Sequence, residues 1–396
     1  MKKIKTLIFH PALAPYRVDL FNALSDHVDL KIIFLRENLL NQSFDQESLR
    51  RQLKCKYSFL KNGFDFRERS IRFGIKKIIR EYSPDVVVSM EYSLITLWII
   101  FLRYLNFGNK KFGLTVWTAD NITICNHTNF LRKIARSIVL KYLDSLIVYS
   151  EPVKNCYIDL GLESNQIFIC RNIQHESSIE RKKIGCLKQI NLKKNIYNKL
   201  INKKVILFVG RLVPIKGVDR LVQAFAQIVK KNPEAILVIV GDGSEKRKLI
   251  NLTKKLNIEE IVLFLGRLEG TDLFSIYLLS DLFVLPSLYE AYGAVVNEAL
   301  LFGVPVLCST YAGASELIRK GINGDIFNPL DISKLQALIN VWMTKVNLES
   351  KDKTILTRTN LMPEKFDNSV DEFVKAIKKA RGAFPVCPTC YRNNIL

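Results

Sequence analysis

Short β-branched runs alternate with helix-length stretches along this chain, and the alternation runs through twice. Parallel strands are joined only by crossovers of a dozen or more residues, usually helices. The rhythm therefore restricts the chain to parallel sheets covered by helices on both faces. In the first half the strand candidates are Ile4–Phe9, Leu30–Leu35, Asp85–Ser89, Phe112–Trp117, Ser145–Tyr149 and Gln166–Ile169. Helical spacing fits Arg17–Ser25, Ile71–Tyr82, Phe130–Tyr142 and Pro152–Leu160 between them. The second half restarts with strands at Val205–Val209, Ala235–Val240, Ile261–Phe264, Leu282–Leu285 and Val304–Cys308. Its helices fall at Val218–Lys230, Glu245–Leu256, Thr271–Leu279, Ala294–Leu301 and Ile332–Val346. Residues 176–204 are rich in Lys, Asn and Ile and show no clean period. The expected architecture is α/β, with two doubly wound, Rossmann-like domains at 1–180 and 204–362. A linker at 181–203 joins them, and an amphipathic helix at 363–382 and a tail at 383–396 follow.

Charge narrows the partners. The net charge is +21, and residues 1–200 carry 33 Lys/Arg against 18 Asp/Glu, so the first half faces an acidic partner. An anionic membrane, a pyrophosphate-bearing substrate and nucleic acid all fit that balance. No zinc-finger, helix-turn-helix or single-strand aromatic pattern supports nucleic acid. The longest stretch without a charge, Ala299–Ser315, has 17 residues and is interrupted by Gly303, Pro305 and Gly313. It falls short of the roughly 20 residues a membrane span needs. Met1-Lys2-Lys3-Ile4 runs into Lys5 without a signal-peptide core, so a cytoplasmic protein, resting on a membrane or free of it, is expected. The eight cysteines show no framework, and reduced thiols are expected. The close pair Cys387/Cys390 lacks the partner pair a zinc site needs.

Ligands of open parallel sheets bind beyond the carboxyl ends of the strands, so the loops there carry the chemistry. After Val205–Val209 comes Gly210-Arg211-Leu212-Val213-Pro214-Ile215-Lys216-Gly217, two cations just ahead of a helix N-terminus. Cations and free amides converging at one point make an anion site. A solvated loop is the competing reading. After Leu282–Leu285 comes Pro286-Ser287-Leu288-Tyr289-Glu290-Ala291-Tyr292-Gly293-Ala294, with Glu298 eight residues beyond Glu290. Glu298 lies among Val295, Val296, Ala299 and Leu300, so it is either exposed at a helix edge or held by hydroxyl donors. A carboxylate accepts two hydrogen bonds from adjacent sugar hydroxyls. Cations for a pyrophosphate and carboxylates for sugars are what a nucleotide-sugar site requires.

Together these motifs, with Gly241-Asp242-Gly243, Phe264-Leu265-Gly266 and Gly303-Val304-Pro305-Val306, resemble the C-terminal domain of family 4 glycosyltransferases over roughly residues 204–330. Ser150, Gly161 and Arg171-Asn172 resemble the end of that family's first domain. Pro15-Tyr16-Arg17 with Leu20-Phe21 resembles the start of members that build surface polysaccharides and lipopolysaccharide. The resemblance implies a GT-B fold, its two domains facing each other across a cleft, and retaining transfer of a hexose-type sugar from a nucleotide diphosphate sugar, usually a UDP-sugar. It assigns Arg211 and Lys216 to the diphosphate, Glu298 to the ribose, Glu290 to the transferred sugar, Gly293 and Ala294 to backbone contacts, and Arg267 to the base. Arg211, Lys216 and Glu290 would be the catalytic set. No metal or other cofactor is expected, because no Asp-x-Asp pair sits where a metal would be needed.

The sequence departs from the family at Tyr292, where Phe is commoner. It also departs at His10–Pro15, where a glycine-rich turn is usual, and at Trp117-Thr118-Ala119-Asp120, where many relatives carry a histidine. On the acceptor side the candidates are Arg17, Glu91 and Asp120, and Asp120 reads equally as a helix cap. The acceptor is expected to be a glycan or a lipid-pyrophosphate-linked sugar. Two basic-apolar stretches, Arg67–Arg80 and Leu94–Phe107 with Lys110 and Lys111, suit a peripheral membrane contact or, equally, core helices with solvated faces. A non-catalytic nucleotide-sugar-binding accessory subunit is the competing function.

Overall fold

The computed structural model describes residues 2–38, 44–66, 69–105, 111–126, 128–190, 198–348 and 358–382. Arg67, Phe107, Lys110 and the tail with Cys387 and Cys390 lie outside the described residues. The strands, in chain order, are β1 (Lys5–His10), β2 (Asp29–Phe34), β3 (Lys56–Phe59), β4 (Gly63–Phe66), β5 (Arg69–Arg72), β6 (Val86–Met90), β7 (Gly113–Trp117), β8 (Ser145–Val148) and β9 (Ile167–Ile169). They continue with β10 (Lys204–Val209), β11 (Ala235–Val240), β12 (Val262–Gly266), β13 (Leu282–Leu285), β14 (Val306–Ser309) and β15 (Gly324–Phe327). Contacts divide the chain into one unit of residues 1–172 and 367–396 and a second of residues 173–366.

The first unit is built on a seven-stranded sheet of order β3-β2-β1-β6-β7-β8-β9, and the second on a six-stranded sheet of order β12-β11-β10-β13-β14-β15. Every pairing within these two sheets is parallel. Both are therefore doubly wound sheets whose order reverses beside the first strand, as in Rossmann folds. Central strands are buried along nearly their whole length, which is why Val86-Val87-Val88 and Ala235–Val240 read as continuous apolar runs. Each fully buried Val, Leu or Ile contributes about 1.5–3 kcal/mol.

The structure adds strands β3, β4 and β15 to those expected from the sequence, and differs from the expectation elsewhere. The helix expected at Ile71–Tyr82 starts only at Ile75, after Gly74 in the left-handed region, and Ile71 and Arg72 belong instead to β5, which pairs antiparallel with β4. Asp65 holds this hairpin by ion pairs to Arg36 at 3.0 Å and Arg72 at 2.9 Å. In the helix Ile75–Tyr82, Ile75 and Ile79 are buried in the core, so this stretch is a core helix with a basic outer face. Residues 176–190, expected in part as linker, form the helix Glu176–Ile190 of the second unit. It buries Ile179, Lys183 and Cys186, a helical i, i+4, i+7 face that a lysine at its centre masks in the sequence. Lys183 is accommodated there by Glu180 at 2.9 Å.

Finally, the helix Phe366–Gly382, expected as a separate element, packs on the first unit. Ser145 donates to the Ala376 carbonyl at 2.9 Å, and Trp117 meets Phe373 edge to face at 5.1 Å. Gly113 permits the approach, because a Cβ there would lie 2.1 Å from the Ala380 carbonyl oxygen. Gly113→Ala should therefore lower the unfolding free energy by about 1–3 kcal/mol in urea titrations. Gly185→Ala, whose Cβ would meet nothing nearer than 3.8 Å, should raise it by roughly 0.5–1 kcal/mol. Equal effects at the two sites would refute the docking of this helix on β7.

Candidate functional site

In the second unit the sheet order reverses between β10 and β13, which are directly paired. The loops following these two strands thus emerge side by side. They are locked together by backbone: Leu288 N–H donates to the Ile215 carbonyl at 2.8 Å. Gly217 lies so close to the second loop that a Cβ would sit 2.4 Å from the Pro286 carbonyl oxygen. Two helices start here, Val218–Ile228 behind Gly217 and Ala294–Leu301 behind Gly293, and neither has a side-chain cap. Uncapped first turns present amide N–H groups and the positive end of the helix dipole.

Lys216 and Glu290, predicted from the two separate loops, form an ion pair with each other. Arg211 is exposed and makes no ion pair or side-chain hydrogen bond with the described residues. Glu298, on the second turn of Ala294–Leu301, accepts from the Tyr277 hydroxyl at 3.0 Å and from the Gln174 amide at 3.2 Å. Burial pushes its carboxyl above the ordinary value, against the pull of Tyr277, Lys182 and Gln174. Arg267 follows β12, two strands from β10, where it is exposed and pairs with Glu269. The site thus assembles Lys216, Glu290, Gly293 and Ala294. Glu298 lies four residues into the same helix, and Arg267 stands apart at the sheet edge.

Sequence reasoning missed Tyr277, Gln174 and Ser287. Ser287 is fully buried, and its hydroxyl has no hydrogen-bond partner. Its position between the strand and Glu290 was the available signal.

In the first unit the candidates fall into two clusters at the carboxyl ends of β1, β6 and β7. Arg17 ends the short 3-10 turn Pro15–Arg17, is 5% exposed, and donates to the Tyr149 hydroxyl. Its guanidinium lies 4.2 Å from the Trp117 ring centre. His10 packs against Phe21, Phe34 and Trp117 and sits with Nδ1 2.8 Å from the Ala12 carbonyl. Burial, and then the Arg17 charge, push its imidazole down to about 3.

Glu91 and Asp120 are bridged by Arg132, which pairs with Asp120 and reaches Glu91 at 3.4 Å. Asp120 is 1% exposed and also accepts from the Tyr157 hydroxyl at 2.5 Å, with Tyr92 donating to Tyr157. Glu91 is partly exposed and adopts φ +53°, an uncommon conformation for a residue with a side chain. Its carboxyl is raised by burial, lowered by Arg132 and raised by Asp120. Arg132, in the first turn of Phe130–Tyr142, opposes the helix dipole, a sequence signal that it serves a partner elsewhere. Beside this cluster, Cys125 and Cys156 are joined by a disulfide, against the expectation of reduced thiols. The helix Ile122–Asn126 packs on Glu151–Asp159 and brings their Cα atoms to 6.6 Å.

Residues 189–356 match the model of the family described as glycosyl transferases group 1. That segment is a group 1 glycosyltransferase domain. It contains Arg211, Lys216, Arg267, Glu290, Gly293, Ala294 and Glu298, whereas Arg17, Glu91 and Asp120 lie outside it. An uncharacterized glycosyltransferase of Methanocaldococcus jannaschii is 31% identical over 63% of this chain. The match spans 62% of that relative, less than two thirds of its length. Among solved structures, HepE of Anabaena in complex with UDP superposes with a TM-score of 0.71 at 16% identity, covering 95% of this chain and all of that one. The lipopolysaccharide outer core galactosyltransferase WaaB superposes with a TM-score of 0.64 at 17% identity, covering 94% of this chain and 99% of that one. The group 1 domain and the two doubly wound units together give this chain the GT-B glycosyltransferase fold.

His10 yields a pH test of the first-unit cluster. Its folded-state value lies below its unfolded one, so the stability it contributes is present above about pH 6.5 and is lost as pH falls toward 3. Between pH 7 and 5 the loss should be about 2 kcal/mol, and His10→Phe should flatten the profile by that amount. Parallel chemical-denaturation profiles for the two proteins would show that His10 is not held neutral.

Proposed function

We propose that this protein is a retaining glycosyltransferase of family 4 type. It moves a hexose-type sugar from a nucleotide diphosphate sugar, a UDP-sugar first among the candidates, to a glycan or lipid-pyrophosphate-linked acceptor. The reading rests on one observation above all: Lys216 and Glu290 meet between two uncapped helix N-termini at the point where the sheet order reverses. A diphosphate brings more charge to that point than one carboxylate, so it takes Lys216 from Glu290 and frees Glu290 for sugar hydroxyls. Arg211 adds a second cation. As the glycosidic bond breaks, negative charge grows on the departing diphosphate, and fixed cations stabilise that state more than the ground state. Glu298, already holding two hydrogen-bond donors, takes the ribose hydroxyls in their place. Configuration is retained by departure and attack on one face, and no metal is needed because Arg211, Lys216 and the helix ends neutralise the leaving group. The complex of HepE with UDP and the activity in WaaB's name support a UDP-sugar and a place in surface-polysaccharide or lipopolysaccharide assembly.

Binding of UDP, GDP and ADP, each with and without EDTA, tests the donor site. One nucleotide should bind tightly regardless of EDTA, and Lys216→Ala and Glu298→Ala should both weaken it. In turnover with the matching sugar nucleotide, Lys216→Ala should lower kcat on the order of 10²–10³-fold. Binding unaffected by either substitution would remove the assignment.

The acceptor side carries a membrane proposal. No helix among the described residues is long and apolar enough to cross a bilayer. Yet the helices Leu94–Tyr104 and Phe130–Tyr142 pack side by side and leave Trp98, Phe101, Tyr104, Phe130, Leu131 and Ile134 exposed. Phe130 is 74% exposed and Leu131 67%, with Lys133 and Lys141 exposed on the same helix. Apolar side chains flanked by lysines fit an anionic bilayer, here the inner face of the cell membrane. Vesicles of phosphatidylcholine with phosphatidylglycerol should sediment the protein, and pure phosphatidylcholine should do so less. Phe130→Ser with Leu131→Ser should reduce partitioning on the order of tenfold to a hundredfold and leave nucleotide binding unchanged. Equal partitioning of the double variant would refute this face.

A further inference from the structure

Arg17 is a buried cation without a counter-charge. It is 5% exposed, and no carboxylate among the described residues pairs with it. One of its three nitrogens is used, Nη2, which donates to the neutral Tyr149 hydroxyl. Nε and Nη1 are buried and donate to nothing, and the indole Nε1 of Trp117 is likewise buried and unpartnered. The guanidinium is walled by rings, with its Cζ 4.2 Å from the centre of Trp117, 5.3 Å from Tyr16 and 5.5 Å from Tyr149. Taking a charge out of water costs several kcal/mol unless it is paired, and cation–π contact returns on the order of 2 kcal/mol. Each buried unsatisfied N–H adds its own penalty.

The position of this charge gives it a use. Arg17 follows β1, the strand beside which the first unit's order reverses. Trp117 ends β7, and Tyr149 follows β8. That is the carboxyl edge of a doubly wound sheet, where such folds take their ligands.

We propose that Arg17 is an oxyanion-binding residue whose unpartnered Nε–H and Nη1–H groups donate to anionic oxygen of an acceptor group, a phosphate or a carboxylate. These two N–H groups lie on different edges of the guanidinium, Nη1 on the Cδ side and the Nε–H on the Nη2 side, so each donates a separate charge-assisted hydrogen bond to an anionic oxygen. The aromatic walls hold the planar group in place, and they exclude the lysine-like mobility that would blur such a site. That the anion belongs to the sugar acceptor rests on the glycosyltransferase reading, whereas the site itself rests on the unpaired charge.

The test uses the full chain with UDP at saturation, so that the diphosphate site of the second unit is filled. Inorganic pyrophosphate, inorganic phosphate and glucuronate are titrated separately, with binding followed by calorimetry and by melting temperature. The wild type should bind at least one of them saturably. Binding of either phosphate alone names a phosphate-bearing acceptor, and binding of glucuronate alone names an acidic sugar. Arg17→Met should weaken that binding at least tenfold and leave UDP affinity unchanged. In anion-free buffer Arg17→Met should melt no lower than wild type, because it removes an uncompensated charge from the interior. Two results overturn the proposal. One is no anion binding by the UDP-saturated wild type. The other is binding that survives in Arg17→Met. A protein that binds no nucleotide but still loses pyrophosphate on Arg17→Met would sink the donor assignment and leave this one standing.

Discussion

The site depends on one topological constraint, the placing of β10 between β11 and β13. Parallel strands with right-handed crossovers send successive connections to opposite faces once the order reverses, so the two loops at the reversal are not covered by a helix of their own sheet. Backbone then meets backbone, as Leu288 does with Ile215 and Gly217 with Pro286. The proposed donor site in the second unit follows from that adjacency. It brings Lys216 to Glu290 across 74 residues of sequence. It also aims two helix N-termini into one place, a concentration of partial positive charge that neither loop supplies alone.

The two units treat their central cation differently. Lys216 is paired with Glu290, so on the proposed reading an anion reaching Lys216 displaces a carboxylate. Arg17 has rings and a neutral hydroxyl for company, and no carboxylate among the described residues pairs with it. The first arrangement favours discrimination, because only a group more highly charged than a carboxylate wins the lysine. The second favours capture, because little must be given up when an oxyanion arrives. Burial, and then the Arg17 charge, hold the His10 imidazole down, which keeps a second buried positive charge from forming beside Arg17.

How much was legible follows from where each residue sits in the chain. Arg211, Lys216, Glu290 and Glu298 stand out as candidates because strand-end loops announce themselves by an apolar run ending in glycine or proline. Tyr277 and Gln174 could not, because the helix that supplies Tyr277 and the domain boundary that supplies Gln174 reach Glu298 only through the fold. The helix at 176–190 was hidden by Lys183 in its buried face, and β5 was hidden because Gly74 stops a helical pattern that Arg69–Arg72 would extend. Periodicity showed that the last helix has an apolar face. Nothing in it says that this face packs on β7, because a glycine's missing side chain leaves no mark in a hydrophobic pattern.

The two carboxylates that Arg132 bridges in the first unit are held differently. Asp120 is almost fully buried and gives one oxygen to Arg132 and the other to Tyr157. A carboxylate so occupied could take a proton only by releasing the half-buried Arg132 guanidinium or the buried Tyr157 hydroxyl. Asp120 is thus a positioning residue that anchors Arg132. Glu91 receives the weaker arm of that guanidinium, is reachable from solvent, and has its carboxyl raised by burial and by the Asp120 charge. Its left-handed backbone is held by the N–H bond to the Trp117 carbonyl, the same residue whose ring covers Arg17. One tryptophan therefore fixes both the backbone of the reachable carboxylate and the plane of the unpaired cation. The order of the first unit, with β6 and β7 adjacent, makes that double use geometrically available.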